Sequence, residues 1–126
     1  MEPGTVEFGP YGDFVADCPA RAAMDLFANT WLPVVVFALR DGPLRPGQMQ
    51  RAIGGVSQKM LTQTLRRLEH SGLVQRRRYP EAPPRVEYGL TRAGRELLIP
   101  IHALGEWAHR HADTISSAHA APDGDD

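Results

Sequence analysis

The feature that most restricts the fold is the stretch SQKMLTQTLRRLEHSG at residues 57–72. Leu61, Leu65 and Leu68 recur at the spacing of one helix face, which predicts a helix over residues 58–70 with one buried stripe. Ser57 is a favoured N-cap residue, and Gly72 suits the left-handed position just past a helix end. The side chains opposite the stripe are polar or basic. The sequence therefore predicts a helix that packs on one side and faces solvent on the other.

Three shorter helices are predicted upstream of this one. Residues 19–28 form the first, and Thr30 is the expected N-cap of the second, residues 31–40. The second helix, WLPVVVFALR, is apolar nearly all round, so we expect it at the centre of the core. Residues 46–53 form the third, and Gly54-Gly55 then makes a tight turn into the helix that follows Ser57.

A β-hairpin and a long helix are predicted downstream. Residues 73–79 and 86–90 are the strands, since apolar and polar side chains alternate in the second of them. The connection PEAPPR holds three prolines, which makes the tip of the hairpin stiff. Thr91 is the expected N-cap of a helix that runs to about residue 112, and Pro100 should bend or break it.

This order of elements predicts an α+β fold: a mostly helical winged helix-turn-helix domain with a two-stranded β-hairpin wing and a long C-terminal dimerisation helix. We expect residues 1–17 to form a flexible N-terminal arm and residues 18–112 to form the domain with its dimerisation helices. Residues 113–126 are small, polar and acidic, and we expect a disordered tail there.

The charge is distributed unevenly along the chain. The formal net charge is −1, yet residues 40–95 hold twelve Arg or Lys against four acids. Such a basic middle favours a face that binds a polyanion, although a solvated surface with scattered arginines is the alternative. No apolar run is long enough to span a membrane and no signal peptide is recognisable, so we expect the cytoplasm. The single cysteine excludes an internal disulfide framework but leaves open a bridge between two subunits.

The predicted helix-turn-helix and wing point to duplex DNA. The major groove is about 12 Å wide and admits one α-helix with an apolar back and a polar front. Arginines of the wing would contact phosphates or enter the minor groove, although in a strand Arg76, Arg77 and Arg78 cannot all share a face, and Glu87 is a candidate partner for some of them. The candidate DNA-binding residues are Ser57, Gln58, Lys59, Thr62, Gln63, Arg66, Arg67, Arg77, Arg78 and Arg85.

Two segments resemble the HxlR-type family of winged helix-turn-helix regulators. The block VSQKMLTQTLRRLEHSGLVQRRRYPEAPPRVEYGLTRAGREL is similar to the centre of that family, and CPARAAMDLFANTW is similar to its N-terminal helix. The resemblance implies a bacterial homodimer that is joined through its first and last helices and acts as a repressor or activator. The chain departs from the family's Gly-Gly-Lys at residues 28–30. It also departs at the opening of the short helix, Pro46-Gly47-Gln48-Met49, which we expect to be poorly capped.

Several members of the resembled family use a cysteine at the place of Cys18 to sense oxidants or electrophiles. A thiol near a helix N-terminus has a lowered pKa, so Cys18 is a candidate redox sensor, and a purely structural role is the alternative. An unidentified small-molecule or oxidant effector is a further candidate partner. Residues 34–37 would line its pocket, but core packing also explains those side chains.

Other kinds of function find little support in the sequence. His102, Glu106 and His109 lie on one helix face, but on a lone helix such a face is more typical of a solvated or interface surface, so we expect no metal. No catalytic framework or phosphate-binding loop is recognisable, and we expect neither an enzyme nor a cofactor. The alternative to a DNA-binding regulator is a winged-helix module that docks an acidic protein.

Overall fold

The computed structural model describes residues 19–120, with side chains described over residues 19–116. In chain order the elements are α1 (Pro19–Met24), a 3-10 turn (Asp25–Ala28), α2 (Trp31–Ala38), α3 (Pro46–Ile53), α4 (Gln58–His70), β1 (Val74–Tyr79), β2 (Arg85–Leu90), α5 (Arg92–Arg110) and α6 (Ala112–Ala120). This order confirms the predicted α+β winged helix-turn-helix fold. The predicted arm, residues 1–17, and Cys18 lie outside the described residues.

Helix α2 lies at the centre of the core, as its composition predicted. Leu32, Val35 and Val36 are completely buried, and Leu39 at its end is 1% exposed. The α4 stripe packs against them, together with single side chains from α3 and α5: Leu61, Leu65, Leu68, Met49 and Ile101. Burying a large aliphatic side chain stabilises a fold by about 1.5–3 kcal/mol relative to leaving it exposed. This cluster is therefore the main apolar contribution that holds α2, α3, α4 and α5 together.

The start of α2 differs from the prediction that Thr30 is its N-cap. The Thr30 side chain makes no capping hydrogen bond; instead the Oδ1 atom of Asn29 accepts one from the Trp31 amide, at 2.9 Å. The shift of the cap has a local cause, since Thr30 already has a helical backbone conformation with φ −66°. A capping side chain needs an extended backbone at its own residue, so capping moves one residue upstream.

Helix α3 is capped better than its opening sequence predicted. The amide of Arg45 donates to Oε1 of Gln48, at 2.8 Å, and Pro46 stands at the first helical position, where no amide hydrogen is needed. The expectation of a poorly capped α3 was therefore wrong. Gln48, three residues past the N-cap position, supplies half of a capping box, even though the N-cap residue itself is an arginine.

Both ends of α4 are capped as predicted. The Oγ atom of Ser57 accepts from the Met60 amide, at 3.0 Å. At the other end Gly72 has φ 78°, and the amides of Gly72 and Leu73 donate back to the carbonyls of Glu69 and Leu68. These bonds form a Schellman motif, which requires the left-handed conformation that glycine adopts without strain. The motif turns the chain directly into β1.

The hairpin is a two-stranded antiparallel sheet, and its register pairs Val74 with Leu90 at one end and Tyr79 with Arg85 at the other. Both predicted strands are confirmed to within one residue. A third stretch of chain joins the sheet, because Leu44 and Tyr88 exchange two backbone hydrogen bonds, at 3.0 and 2.9 Å. The loop after α2 therefore fixes the base of the wing relative to the core.

Helix α5 begins as predicted and passes through Pro100 without a break. The Thr91 side chain caps it by accepting from the Gly94 amide, at 3.2 Å. The prediction of a disordered tail over residues 113–126 was wrong for its first part, because residues 112–120 form α6, and residues 121–126 lie outside the described residues. Asp113 lies in the first turn of α6, where the helix dipole favours a negative charge, and Ile115 is partly buried. In residues 19–120 no helix is long and apolar enough to cross a membrane.

The start of α5 depends on a close approach at Gly94. This residue is buried, and a Cβ atom placed on it would collide with the backbone carbonyl of Leu73. We expect Gly94→Ala to lower the free energy of unfolding by about 1–3 kcal/mol or more, because backbone cannot yield as a flexible side chain does. Urea denaturation followed by circular dichroism measures this change.

Gly47→Ala is the matched control, since the new methyl group would meet only the far end of the Arg51 side chain, at 3.8 Å. Replacing a helical glycine by alanine stabilises a helix by up to about 1 kcal/mol. Equal effects of the two substitutions would contradict the packing assigned to Gly94.

Candidate nucleic-acid interface

The polar side of α4 is open to solvent along its length. Leu61, Thr64, Leu65 and Leu68 are buried on the opposite side. We call four exposed side chains the recognition face: Lys59, Thr62, Gln63 and Arg66. All four are predicted site residues. Because the stripe packs against α2, the recognition face points away from the body of the protein and remains available to a ligand.

The N-terminus of α4 has a more limited chemistry than the sequence suggested. Ser57 and Gln58 are both exposed, but the Ser57 side-chain oxygen accepts the Met60 amide and serves the helix cap. The amides of the first turn still carry the positive end of the helix dipole, which attracts an anion. Ser57 is therefore a structural cap beside an anion-attracting helix end.

Arg67 has a partner within the protein. Its Nη2 atom donates a hydrogen bond to the backbone carbonyl of Asp25 in the 3-10 turn, at 2.8 Å. This bond directs the guanidinium along the flank of α4 instead of along the recognition face. Arg67 was predicted beside Arg66 as a DNA-binding residue, but adjacent residues of a helix point about 100° apart.

Asn29 and Thr64 form a contact that the sequence did not reveal. The Nδ2 atom of Asn29 donates to Oγ1 of Thr64, at 3.1 Å, across 35 residues of sequence. Thr64 is completely buried and its hydroxyl donates in turn to the Met60 carbonyl, at 2.8 Å. The only available signal was a polar residue on the border of the leucine stripe, and that signal does not identify the partner.

The three consecutive arginines of the wing have different surroundings. Arg76 lies 3.7 Å from Glu69, at the end of α4, so its Nε atom has a carboxylate partner. Arg77 and Arg78 are exposed, and neither has an ion pair with any residue of the described part. Alternation along β1 puts Arg78 on the same side as Arg76 and Arg77 on the other, which confirms that the three cannot share a face.

Arg85 has the most crowded environment of the wing arginines. Its guanidinium lies 3.2 Å from Glu81 and 4.0 Å from Glu87, and its carbon Cζ lies 4.2 Å from the centre of the Tyr79 ring. The side chain is 27% exposed, against 48% for Arg76. Glu87 was expected to pair with the arginine run; it stands opposite Arg77 in the register but lies within ion-pair distance of Arg85. Two carboxylates around one guanidinium leave no positive excess at this point.

A cleft of about 710 Å³ lies on the hairpin, beside the end of α4. Its lining includes Glu69 from the helix and Arg76, Arg77 and Arg78 from the strand. The Schellman motif turns the chain directly from the end of α4 into β1, so the strand that carries these arginines follows α4 without a long loop. Together they combine hydrogen-bonding side chains on a helix with cations on a neighbouring strand.

The apolar run in α2 faces two environments. Val35 and Val36 are in the core, as the packing interpretation predicted, whereas Val34 is 40% exposed. Val34 and Phe37 line a groove of about 550 Å³ between α2 and α5, with Ile101, His102 and Leu104 opposite. His102 stacks on Phe37 with ring centres 6.2 Å apart, and its Nδ1 atom lies 3.8 Å from Glu106. Within the described residues no group of three or more side chains could hold a metal ion.

The chain is similar in sequence and in structure to known transcriptional regulators. Residues 26–116 match the family of HxlR-like helix-turn-helix proteins. An HTH-type transcriptional regulator of Methanothermobacter thermautotrophicus is 43% identical over 103 residues, 79% of each chain. A solved MarR-family transcriptional regulator from Porphyromonas gingivalis W83 has a TM-score of 0.71 and 35% identity, covering 82% of this chain and 97% of that one. The redox regulator HypR in its reduced form has a TM-score of 0.72 and 33% identity, covering 79% and 98%.

Proposed function

Because the chain belongs to the HxlR-like helix-turn-helix family, as its motifs predicted, we propose that it is a sequence-specific, DNA-binding transcriptional regulator that acts as a homodimer. The observation that carries the proposal is the recognition face, a row of exposed polar and basic side chains on a helix whose other side is packed in the core. This arrangement suits insertion into the major groove, where Gln and Arg recognise adenine and guanine through paired hydrogen bonds.

The wing supplies contacts to the DNA backbone in this proposal. Arg77 and Arg78 are its exposed cations without an ion-pair partner in the described part of the chain, and Arg78 lies on the side of β1 from which Arg76 reaches α4. Phosphate contacts of this kind orient a protein on the duplex and give little sequence information. Arg85 shapes the wing tip through its ion pairs and its contact with Tyr79.

The homodimer is proposed from the outer side of α5. Three large apolar side chains of α5 are exposed: Ile99, Trp107 and Leu104, with exposed fractions of 75%, 47% and 53%. The same helix supplies Ile101 to the core, and Leu104 continues its apolar surface from the groove toward solvent. A helix with more apolar surface than its own subunit covers needs a second packing partner, and a second copy of the chain supplies it. Twofold symmetry then implies a pseudo-palindromic operator.

Control by oxidants or by a small effector remains a prediction. Cys18 lies outside the described residues, and the similarity to HypR, a redox regulator, supports a redox response without assigning the thiol. The groove between α2 and α5 is the place where an effector would meet both the core and the proposed dimer helix.

Selection of bound sequences from random duplexes tests the proposal. We expect enrichment of a pseudo-palindrome and an affinity for it that falls steeply as salt rises, because binding releases counterions from the DNA. If nothing is enriched and affinity for duplexes is weak and independent of sequence, the basic face docks an acidic protein instead. A pull-down with acidic peptides at the same salt concentrations would then replace the DNA assay.

Replacing Gln63 or Arg66 by alanine tests the recognition face. Both side chains are exposed, so we expect the fold to stay intact while the free energy of binding to the selected sequence weakens by about 1–3 kcal/mol. Fluorescence anisotropy with the selected duplex and an unrelated duplex measures the change. The control is Arg51→Ala, an exposed arginine at the end of α3. An affinity equal to wild type in the double variant would exclude insertion of this face into the major groove.

Arg78→Ala and Arg85→Ala test the wing. We expect Arg78→Ala to lower the slope of log affinity against log salt by about one, as the loss of one phosphate contact does. For Arg85→Ala we expect an unchanged slope, because its charge is already balanced by Glu81 and Glu87. The measurement is a salt titration of each variant with one duplex. A slope lowered by one in Arg85→Ala would restore Arg85 as a direct phosphate contact.

Leu104→Glu tests the dimer. A charge on the outer side of α5 cannot be buried without a partner, so we expect monomers and a loss of operator affinity. Sedimentation equilibrium measures the mass. His109→Glu introduces the same charge at an exposed polar position of the helix and serves as the control. A Leu104→Glu dimer as tight as wild type would place the interface elsewhere. Truncation at residue 101 is less informative, because Ile101 belongs to the core of the subunit.

A further inference from the structure

Two side-chain hydrogen bonds join α4 to the short segment between α1 and α2. Asn29 donates to the Thr64 hydroxyl, at 3.1 Å, and Arg67 donates to the Asp25 carbonyl, at 2.8 Å. They span 35 and 42 residues of sequence, and among the described residues no other side-chain hydrogen bond from α4 reaches an earlier element. The segment therefore supplies the donor of one bond, and α4 supplies the donor of the other.

The two bonds constrain a motion that apolar packing leaves soft. Burial of the leucine stripe is non-directional, so it tolerates a small rotation of α4 about its own axis. A hydrogen bond depends steeply on angle and distance. Thr64 and Arg67 lie three residues apart on the flank that faces the 3-10 turn, so two directional contacts about 4.5 Å apart along the axis oppose such a rotation.

We infer that Asn29 and Arg67 are positioning residues that set the rotation of α4, and that Arg67 makes no contact with DNA itself. This inference rests on the proposed function. A rotation of about 15° moves a side-chain tip roughly 6 Å from the helix axis by about 1.5 Å, which is enough to break a paired hydrogen bond between Gln63 or Arg66 and a base. Binding sites need side chains held within about 10–20° of the productive geometry.

The chemistry of Asn29 allows its two bonds to be separated. Its Oδ1 atom accepts the Trp31 amide at the start of α2, while its Nδ2 atom serves Thr64. In Asn29→Ser the hydroxyl can still accept from Trp31 but cannot reach Thr64 with a second donor. In Arg67→Lys the positive charge remains, whereas the guanidinium geometry that reaches Asp25 is lost. Asn29→Ser therefore removes the bond to Thr64 and keeps the cap of α2. Arg67→Lys removes the bond to Asp25 and keeps the positive charge.

The test compares the selected operator with an unrelated duplex across a range of salt concentrations. We expect Asn29→Ser and Arg67→Lys each to weaken operator binding about 5- to 10-fold, with affinity for the unrelated duplex and the salt slope unchanged. Thermal unfolding is followed in parallel to show that each variant is folded. Thr64→Val removes the hydroxyl in the same volume, and added to Asn29→Ser it should cause no further loss of operator affinity.

Arg67→Gln distinguishes the two roles of that arginine. If Arg67 contacts a phosphate, Arg67→Lys binds like wild type and Arg67→Gln lowers the salt slope by one for both duplexes, and the inference is overturned. Wild-type operator affinity in Asn29→Ser overturns it as well, while the proposed function stands. If the wild-type protein itself fails to distinguish the two duplexes, the proposed function fails and the inference fails with it.

Discussion

Burial of the leucine stripe of α4 against α2 is the contact on which the rest of the structure depends. It places Leu61, Leu65 and Leu68 in the core and so leaves Gln63 and Arg66 no direction except outward. The same packing holds the end of α4, where Gly72 turns the chain into β1. The position of the wing relative to the recognition face therefore follows from how one helix is packed and how it ends.

Neighbouring charges divide the arginines of this surface into different roles. Arg66, Arg77 and Arg78 face solvent, whereas Arg85 lies between two carboxylates and over an aromatic ring. A charge balanced in this way contributes little to long-range attraction, although its ion pairs stiffen the wing tip. The basic middle of the chain thus overstates the number of cations that an anionic ligand would meet. The neighbours of each arginine, more than the net charge of the chain, decide whether that arginine is available to an anionic ligand.

Helix α5 connects the folding of one subunit with its proposed assembly. Gly94 lets its first turn approach the Leu73 carbonyl, and Ile101 joins the core, so the helix is fixed relative to both the wing and α2. Its outer side, with Leu104 and Trp107, remains exposed. A second subunit on that side would be held rigidly relative to α4. A regulator that recognises two half-sites requires such rigidity, because the spacing of the half-sites is fixed by the DNA.

The sequence by itself determined the elements of the winged helix-turn-helix from α2 to α5, their order and the outward side of α4. Periodic leucines, the caps at Ser57 and Thr91, and the glycine at residue 72 are local signals, and local physics is enough to interpret them. The tertiary structure alone decided that Arg67 reaches Asp25, that Asn29 reaches Thr64 and that Arg85 pairs with Glu81 and Glu87. Two of these contacts join residues 35 and 42 positions apart, and the third depends on strand register and on the shape of the hairpin tip. Such partners come together only when helices pack and strands pair, which is why a pattern within one element could not identify them.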